Sequence, residues 1–262
     1  MTPWVKRLLI ANVAVYFIQI VAPAYMPVLA DLFWFFPPSL LRRPWTPLTY
    51  MFFHDPSSAM HLLFNMLGLY FFGPALEARL GGRRFLILYF VSGVFGAILS
   101  MIMSPGTPII GASAALYGVM LGFARFWPHT RILLFMVIPI EARLLVIIMT
   151  VLSLWGGFGL WGSSIAHFAH LGGFVGGWLF LKWLEWRAPN RRFKERAMGG
   201  SPRGRSDAAD LRRWASIPRD GLHPLNREEV ERIFAKIETS GVKSLTAEER
   251  ASLDRFSQQQ VS

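Results

Sequence analysis

The 262-residue chain contains no cysteine, which excludes disulfide bonds and cysteine-based metal sites. It is also short of charge: 16% of residues are charged, against 53% hydrophobic and 15% aromatic, with a mean hydropathy of +0.38. A water-soluble domain of this length rarely carries so much apolar surface, because all of it would have to be hidden from water. The few charges are segregated. From Leu8 to Trp186 long apolar runs are broken only by small basic or polar knots, whereas the stretch from Arg187 onward is dense in Arg, Lys, Glu and Asp. A membrane part is thereby set apart from a polar tail. The net charge of +11 would suit nucleic acid, but basic flanks that orient membrane helices account for it, and the tail mixes in acidic residues. No nucleic-acid partner is expected.

A membrane span needs about 20 apolar residues. Six segments qualify, at 7–24, 59–77, 85–103, 113–127, 143–158 and 166–186. The first follows Lys6 and Arg7 and could be read as a signal peptide, with small residues at Ala22 and Ala24. The spans that follow it favour a retained helix. The long connection 25–58 holds Phe33, Trp34, Phe35, Phe36, Pro37, Pro38 and Trp45. It is too interrupted by proline to span and suits the headgroup interface. Lys6, Arg7, Arg79, Arg83, Arg84, Arg125, Arg131, Arg143 and Lys182 fall on one side if the N-terminus is cytoplasmic, leaving only Arg42 and Arg43 outside. By the positive-inside rule both termini are expected in the cytoplasm.

The expected organisation is an all-α six-helix membrane domain over 1–186, a basic flexible linker over 187–222 and a small cytoplasmic helical hairpin over 223–262. Two capping boxes, Asn226 with Glu229 and Thr246 with Glu249, mark that hairpin, turned at Gly241. A solvated tail with transient helix is the alternative.

Polar groups within a bilayer are costly and therefore informative. On this topology the second, fourth and sixth spans run inward from outside. His61 and Asn65 open the second, Ser113 opens the fourth, and His170 lies one turn into the sixth. Residues far apart in sequence thus reach one depth. Ala114, Gly118 and Gly122 form a small-residue stripe, as do Ala169, Gly173 and Gly177. Such stripes let backbones approach closely. They either face each other, bringing Ser113 to His170, or pack against different neighbours. A serine needs a base to become a nucleophile, and neutral histidine is the usual one. His61 and Asn65, four residues apart, share a helix face and can both donate to an oxyanion, as can the Ser113 N–H at a helix N-terminus. Tyr117 can pack on the His170 ring. No Asp or Glu is placed to orient His170, so a dyad is expected rather than a triad. Neither an HExxH pattern nor a suitably spaced carboxylate accompanies the histidines, and no metal site is expected.

At these residues the sequence resembles the rhomboid family. The resemblance rests on His61-Leu62-Leu63-Phe64-Asn65, on Gly111-Ala112-Ser113-Ala114, and on Ala169-His170-Leu171-Gly172-Gly173-Phe174-Val175-Gly176-Gly177, in the family's order over roughly residues 5–186. It implies a six-helix bundle enclosing a water-filled cavity, and an intramembrane serine protease that cleaves transmembrane proteins near their outer ends without metal or cofactor. Ser113 is then the nucleophile and His170 the base, with His61, Asn65 and the Ser113 backbone as oxyanion donors beside Gly111. Phe64 falls where the family places a gating aromatic, and Glu77 with Arg79 resembles a structural polar knot. Ala114 departs from a frequent glycine, and Trp45-Thr46 from a frequent Trp-Arg. His167 lies three residues from His170, but the glycine spacing points to His170. His54 is expected to support the first loop. The rival readings are an inactive rhomboid-like protein that binds transmembrane clients, a small transporter, and a membrane anchor for the tail; the last two lack a repeat, midplane charges or a nucleic-acid signature. The topology and the lack of a clear cleavable presequence favour a bacterial inner membrane over an organelle.

Overall fold

A computed structural model describes residues 1–134, 137–158, 167–197 and 207–258. The chain divides into two units, Met1–Leu184 and Glu185–Ser262.

In the first unit helix α1 covers Pro3–Val21, with proline in the first turn where its missing N–H is not needed. Its free first-turn amides are satisfied from far away. The Glu77 carboxylate accepts from the Trp4 N–H at 3.1 Å and the Val5 N–H at 2.9 Å. A carboxylate there complements both the open donors and the positive end of the helix. Glu77 thus holds α1 to its own helix.

The connection after α1 is not an open loop. It forms α2 (Met26–Phe33), α3 (Thr46–Thr49) and short 3-10 turns, each begun near a proline or ended by extended backbone. Trp45 Nε1 donates to the Leu32 carbonyl at 2.8 Å and Thr49 Oγ1 to that of Phe33 at 2.9 Å, tying the pieces together. Arg43, one of the two basic residues outside the positive-inside pattern, is bound by the Asp31 carboxylate.

Helix α4 runs Ala59–Leu80, and α5 runs Gly82–Met103 after a turn at Gly81. Pro74 lies inside α4, where it removes one helical hydrogen bond. Helix α6 is Ser113–Phe126, α7 is Ala142–Gly157 and α8 is His167–Ala197. Among the described residues α1, α4 and α5 are long and apolar enough to cross a membrane, while α6 and α7 are shorter apolar helices. The last part of the fifth-to-sixth connection, 159–166, lies outside the described residues.

An element that the span pattern concealed joins α6 to α7. Strands β1 (Arg131–Leu134) and β2 (Ile138–Glu141) pair antiparallel, with Arg131 opposite Glu141 and Leu134 opposite Ile138. These residues fall between the expected spans 113–127 and 143–158, and four-residue strands leave too short an alternation to recognise.

Of the two stripe arrangements, the structure adopts the facing one. A Cβ on Gly173 would lie 2.0 Å from the Ala114 carbonyl oxygen, and one on Gly177 would lie 2.8 Å from Gly118 Cα. Helix α5 closes the same junction, since a Cβ on Gly172 would meet the Phe95 carbonyl at 2.3 Å. Only the inner member departs: Gly122 faces Leu76 and Leu88 side chains.

The second unit contains α9 (Asp207–Ala215), α10 (Pro224–Ser240) and α11 (Ala247–Gln258). Trp214, Ile217, Val230, Ile233, Val242, Leu245, Leu253 and Phe256 form its core. The expected linker 187–222 therefore differs from the structure: α8 continues to Ala197, and α9 with Trp214 and Ile217 belongs to the packed unit. Residues 198–206 lie outside the described residues. The Thr246 box forms, with the Thr246 N–H on Glu249 Oε2 at 2.8 Å and the Glu249 N–H on Thr246 Oγ1 at 3.2 Å. The Asn226 box does not. Helix α10 starts three residues earlier than an Asn226 cap would set it, at Pro224, capped by His223 Nδ1, which places Asn226 inside the helix and buried. Proline at the first helical position takes precedence over the asparagine.

Candidate active site

Ser113 is the first residue of α6, and the loop that delivers it is sewn to the connection after α1. Phe35 and Ile109 exchange backbone hydrogen bonds of 3.2 and 2.9 Å, and the Gly111 N–H donates to the Tyr50 carbonyl at 3.0 Å. Tyr50 is itself buried and donates its hydroxyl to the Gly93 carbonyl at 2.7 Å, which fastens the loop to α5. The turn into α6 passes through Gly111 at φ +112°, a conformation that side chains rarely adopt. As the first residues of a helix, Ser113 and its successors present backbone N–H groups with no helical carbonyl to receive them.

Ser113 Oγ lies 2.8 Å from His170 Nε2. For this nitrogen to accept the serine proton the neutral ring carries its own proton on Nδ1. That Nδ1 is buried, with no hydrogen-bond partner among the described residues. The ring is held by packing instead: Tyr117 stacks on it at 4.4 Å between centroids and 19° between planes. The Tyr117 hydroxyl reaches Met149 Sδ on α7 at 3.5 Å. His167 turns elsewhere, with its ring against Gly156 of α7 and edge-on to His170 at 6.4 Å.

His61, in the first turn of α4, approaches from the other side. The position a Cβ would take on Gly111 is 2.6 Å from His61 Nε2 and 3.8 Å from Ser113 Oγ, so both side chains face the space that this glycine leaves open. His61 Nδ1 accepts the Asp55 N–H at 3.3 Å. Asn65 lies one turn further along, buried, with Nδ2 donating to the His61 carbonyl at 2.8 Å. One of its two amide protons is thus committed to the helix backbone. Phe64 is half-exposed on α4.

His54 supports the first loop through its backbone, which pairs with Gln19 of α1. Its ring is fully buried, 5.0 Å from that of His61, and burial, with His61 adding to it, pushes its pKa down to about 3. The Asp55 carboxylate is engaged by the Ser57 hydroxyl at 2.6 Å and the Ser57 N–H at 2.9 Å, bonds that hold it below the usual carboxylate range. These backbone contributions carry no sequence signal of their own.

The rhomboid domain model matches residues 41–187, more than half of the chain and all the residues just described from Tyr50 to Gly177. The chain belongs to the rhomboid family. Among the relatives of this rhomboid is rhomboid-like protease 3 of Toxoplasma gondii, 31% identical over 137 residues, which are 51% of this chain and 49% of that protein. Rhomboid protease GluP of Bacillus subtilis is 38% identical over 117 residues, covering 45% of this chain and 22% of that one. Rhomboid protease GlpG of Klebsiella pneumoniae is 28% identical over 181 residues, 67% of this chain and 60% of that one. The chain thus spans less than two thirds of each of these relatives. Membership of the family, with its apolar helices, makes this an integral membrane protein, and the three relatives are named as proteases. Residues 224–259 match a second model, a family of unknown function (DUF6576), which falls on α10 and α11.

Proposed function

We propose that this rhomboid is an intramembrane serine endopeptidase that uses a Ser113–His170 dyad to cut transmembrane proteins near the outer membrane face. The observation that carries the reading is the 2.8 Å contact between Ser113 Oγ and His170 Nε2. His170 takes the serine proton as Oγ attacks a substrate carbonyl, then returns it to the leaving amine. A water activated by the same histidine hydrolyses the acyl-enzyme. Charge on the tetrahedral oxygen is met by the Ser113 N–H, by His61 Nε2 and by the second Asn65 amide proton. Gly111 keeps the space between His61 and Ser113 open, and Tyr117 fixes the plane of the base. Phe64 serves as a lateral gate on α4.

Six spans carry this site, with α1 and α4 to α8 as the membrane helices and both termini in the cytoplasm, in a bacterial inner membrane. The α9–α11 unit is then a cytoplasmic module. The mechanism calls for no metal or cofactor. Purified protein reconstituted in liposomes should cleave a single-span model substrate, and Ser113→Ala or His170→Ala should lower the rate by about 10³-fold or more. Cleavage that persists in Ser113→Ala refutes the assignment; a wild type that only co-purifies with membrane clients makes the protein an inactive binder.

A further inference from the structure

We propose that Gln19 is a positioning residue for the site: through the peptide group joining His54 to Asp55 it holds His61 in the tautomer whose proton sits on Nε2. What that proton is used for rests on the protease reading. The tautomer itself does not.

Gln19 is buried in α1 and meets the His54 backbone with both ends of its amide. Nε2 donates to the His54 carbonyl at 2.8 Å, and Oε1 accepts the His54 N–H at 3.1 Å. A primary amide matches a backbone N–H and C=O pair in this way because it carries a donor and an acceptor side by side. The His54 carbonyl and the Asp55 N–H belong to one planar trans peptide group and point in opposite directions. Fixing the oxygen therefore aims the N–H. That N–H donates to His61 Nδ1 at 3.3 Å. A continuous chain runs from the Gln19 amide, through one peptide, to an imidazole, and such chains polarise each member in the same sense.

The consequence for His61 follows from valence. A ring nitrogen that accepts a hydrogen bond holds a lone pair, so the single proton of the neutral ring lies on the other nitrogen. That nitrogen, Nε2, is the one facing Gly111 and the surroundings of Ser113 Oγ. Ser57 takes one oxygen of the Asp55 carboxylate, Oδ1, and the Asp55 group that bonds the His61 ring is its backbone N–H. Helix α1 supplies no group to the reacting atoms, yet it decides which proton His61 offers them.

The full-length protein, labelled with ¹⁵N in histidine and asparagine-family amides, tests this in detergent micelles. In wild type the His61 resonances, identified by their loss in His61→Ala, should show an unprotonated Nδ1 and a protonated Nε2. In Gln19→Met, which keeps the volume of the side chain, they should shift toward a tautomer mixture. Cleavage by Gln19→Met should show kcat reduced about 10-fold or more with KM little changed, and Gln19→Met added to His61→Ala should cause no further loss. A wild-type His61 protonated on Nδ1 overturns the proposal without any variant, as does an unchanged tautomer in Gln19→Met or a loss that multiplies with that of His61→Ala. If the tautomer responds to Gln19 but wild type does not cleave, the positioning holds and the protease reading fails. If wild type cleaves through Ser113 and the tautomer ignores Gln19, the reverse is true.

Discussion

Replacing Gly173 by alanine should separate the proposed nucleophile from its base. The added Cβ would stand 2.0 Å from the Ala114 carbonyl oxygen and 2.8 Å from its carbonyl carbon. Both are backbone atoms of α6, so no rotamer change can relieve the contact. Real Cβ atoms essentially never come closer than 3.0 Å to such neighbours, so α6 and α8 must part by about 1 Å. Ser113 adjoins Ala114, and His170 lies one turn from Gly173, so the opening falls directly on the pair now 2.8 Å apart. Misplacement on this scale costs about 10²-fold in rate, and overpacking of this kind costs about 1–3 kcal/mol in stability. The comparison is a series measured by cleavage of a single-span substrate and by thermal unfolding. Gly122→Ala meets the flexible end of Leu76 at 2.9 Å and should lose much less, while Gly106→Ala meets nothing within 4 Å and should behave as wild type. Full activity in Gly173→Ala would refute the reasoning that backbone contact between α6 and α8 sets the dyad distance.

Gly111→Ala should also be severe, since it combines φ +112° with a Cβ 2.6 Å from His61 Nε2; cleavage should fall well below that of Gly106→Ala, and equal rates would contradict the geometry. Glu77→Ala strips the acceptors from the Trp4 and Val5 amides and should destabilise the protein by about 1–2 kcal/mol, with Glu77→Gln losing less, as read by thermal unfolding. In the α9–α11 unit, burial raises Glu249, but hydrogen bonds from Lys236, the Thr246 N–H and Arg232 outweigh it and hold the carboxyl at about 2 against an ordinary 4.5. Because the folded value is the lower one, this contribution is complete above pH 4.5 and is lost as pH falls toward 2. Methyl NMR of Val230 and Ile233 in the full chain should show unfolding setting in across that window, and Glu249→Gln should remove the dependence.

The topology brought Ser113 and His170 to one depth and the small-residue stripes allowed them to meet, but the stripes left two packings open, and the contact of Gly173 with the Ala114 backbone decides between them. The Thr246 cap was plain, since a capping box is local and completes itself within four residues. What stayed hidden depends on partners remote in sequence or on the main chain. That the Glu77 carboxylate caps a helix 72 residues away carried no local signal. Trp214 was masked by the basic segment around it and declares itself only through Ile217, Val230 and Leu253. Asn65 promised a free amide, but one proton goes to the His61 carbonyl four residues back. The donor to His61 is a peptide N–H, and no pattern of side chains could have revealed it.

The bonds that join Phe35 to Ile109 and Tyr50 to Gly111 also order events during synthesis. The segment before Ser113 is bonded to Phe35, 74 residues before Ile109, and to Tyr50, 61 residues before Gly111, and the proposed base arrives with α8, 57 residues after the serine. A nascent chain that has entered the bilayer as far as α6 therefore bears Ser113 without His170, the base proposed for it. On the proposed dyad, cleavage would wait for α8 to be made, and the unfinished protein would pass the insertion machinery unarmed.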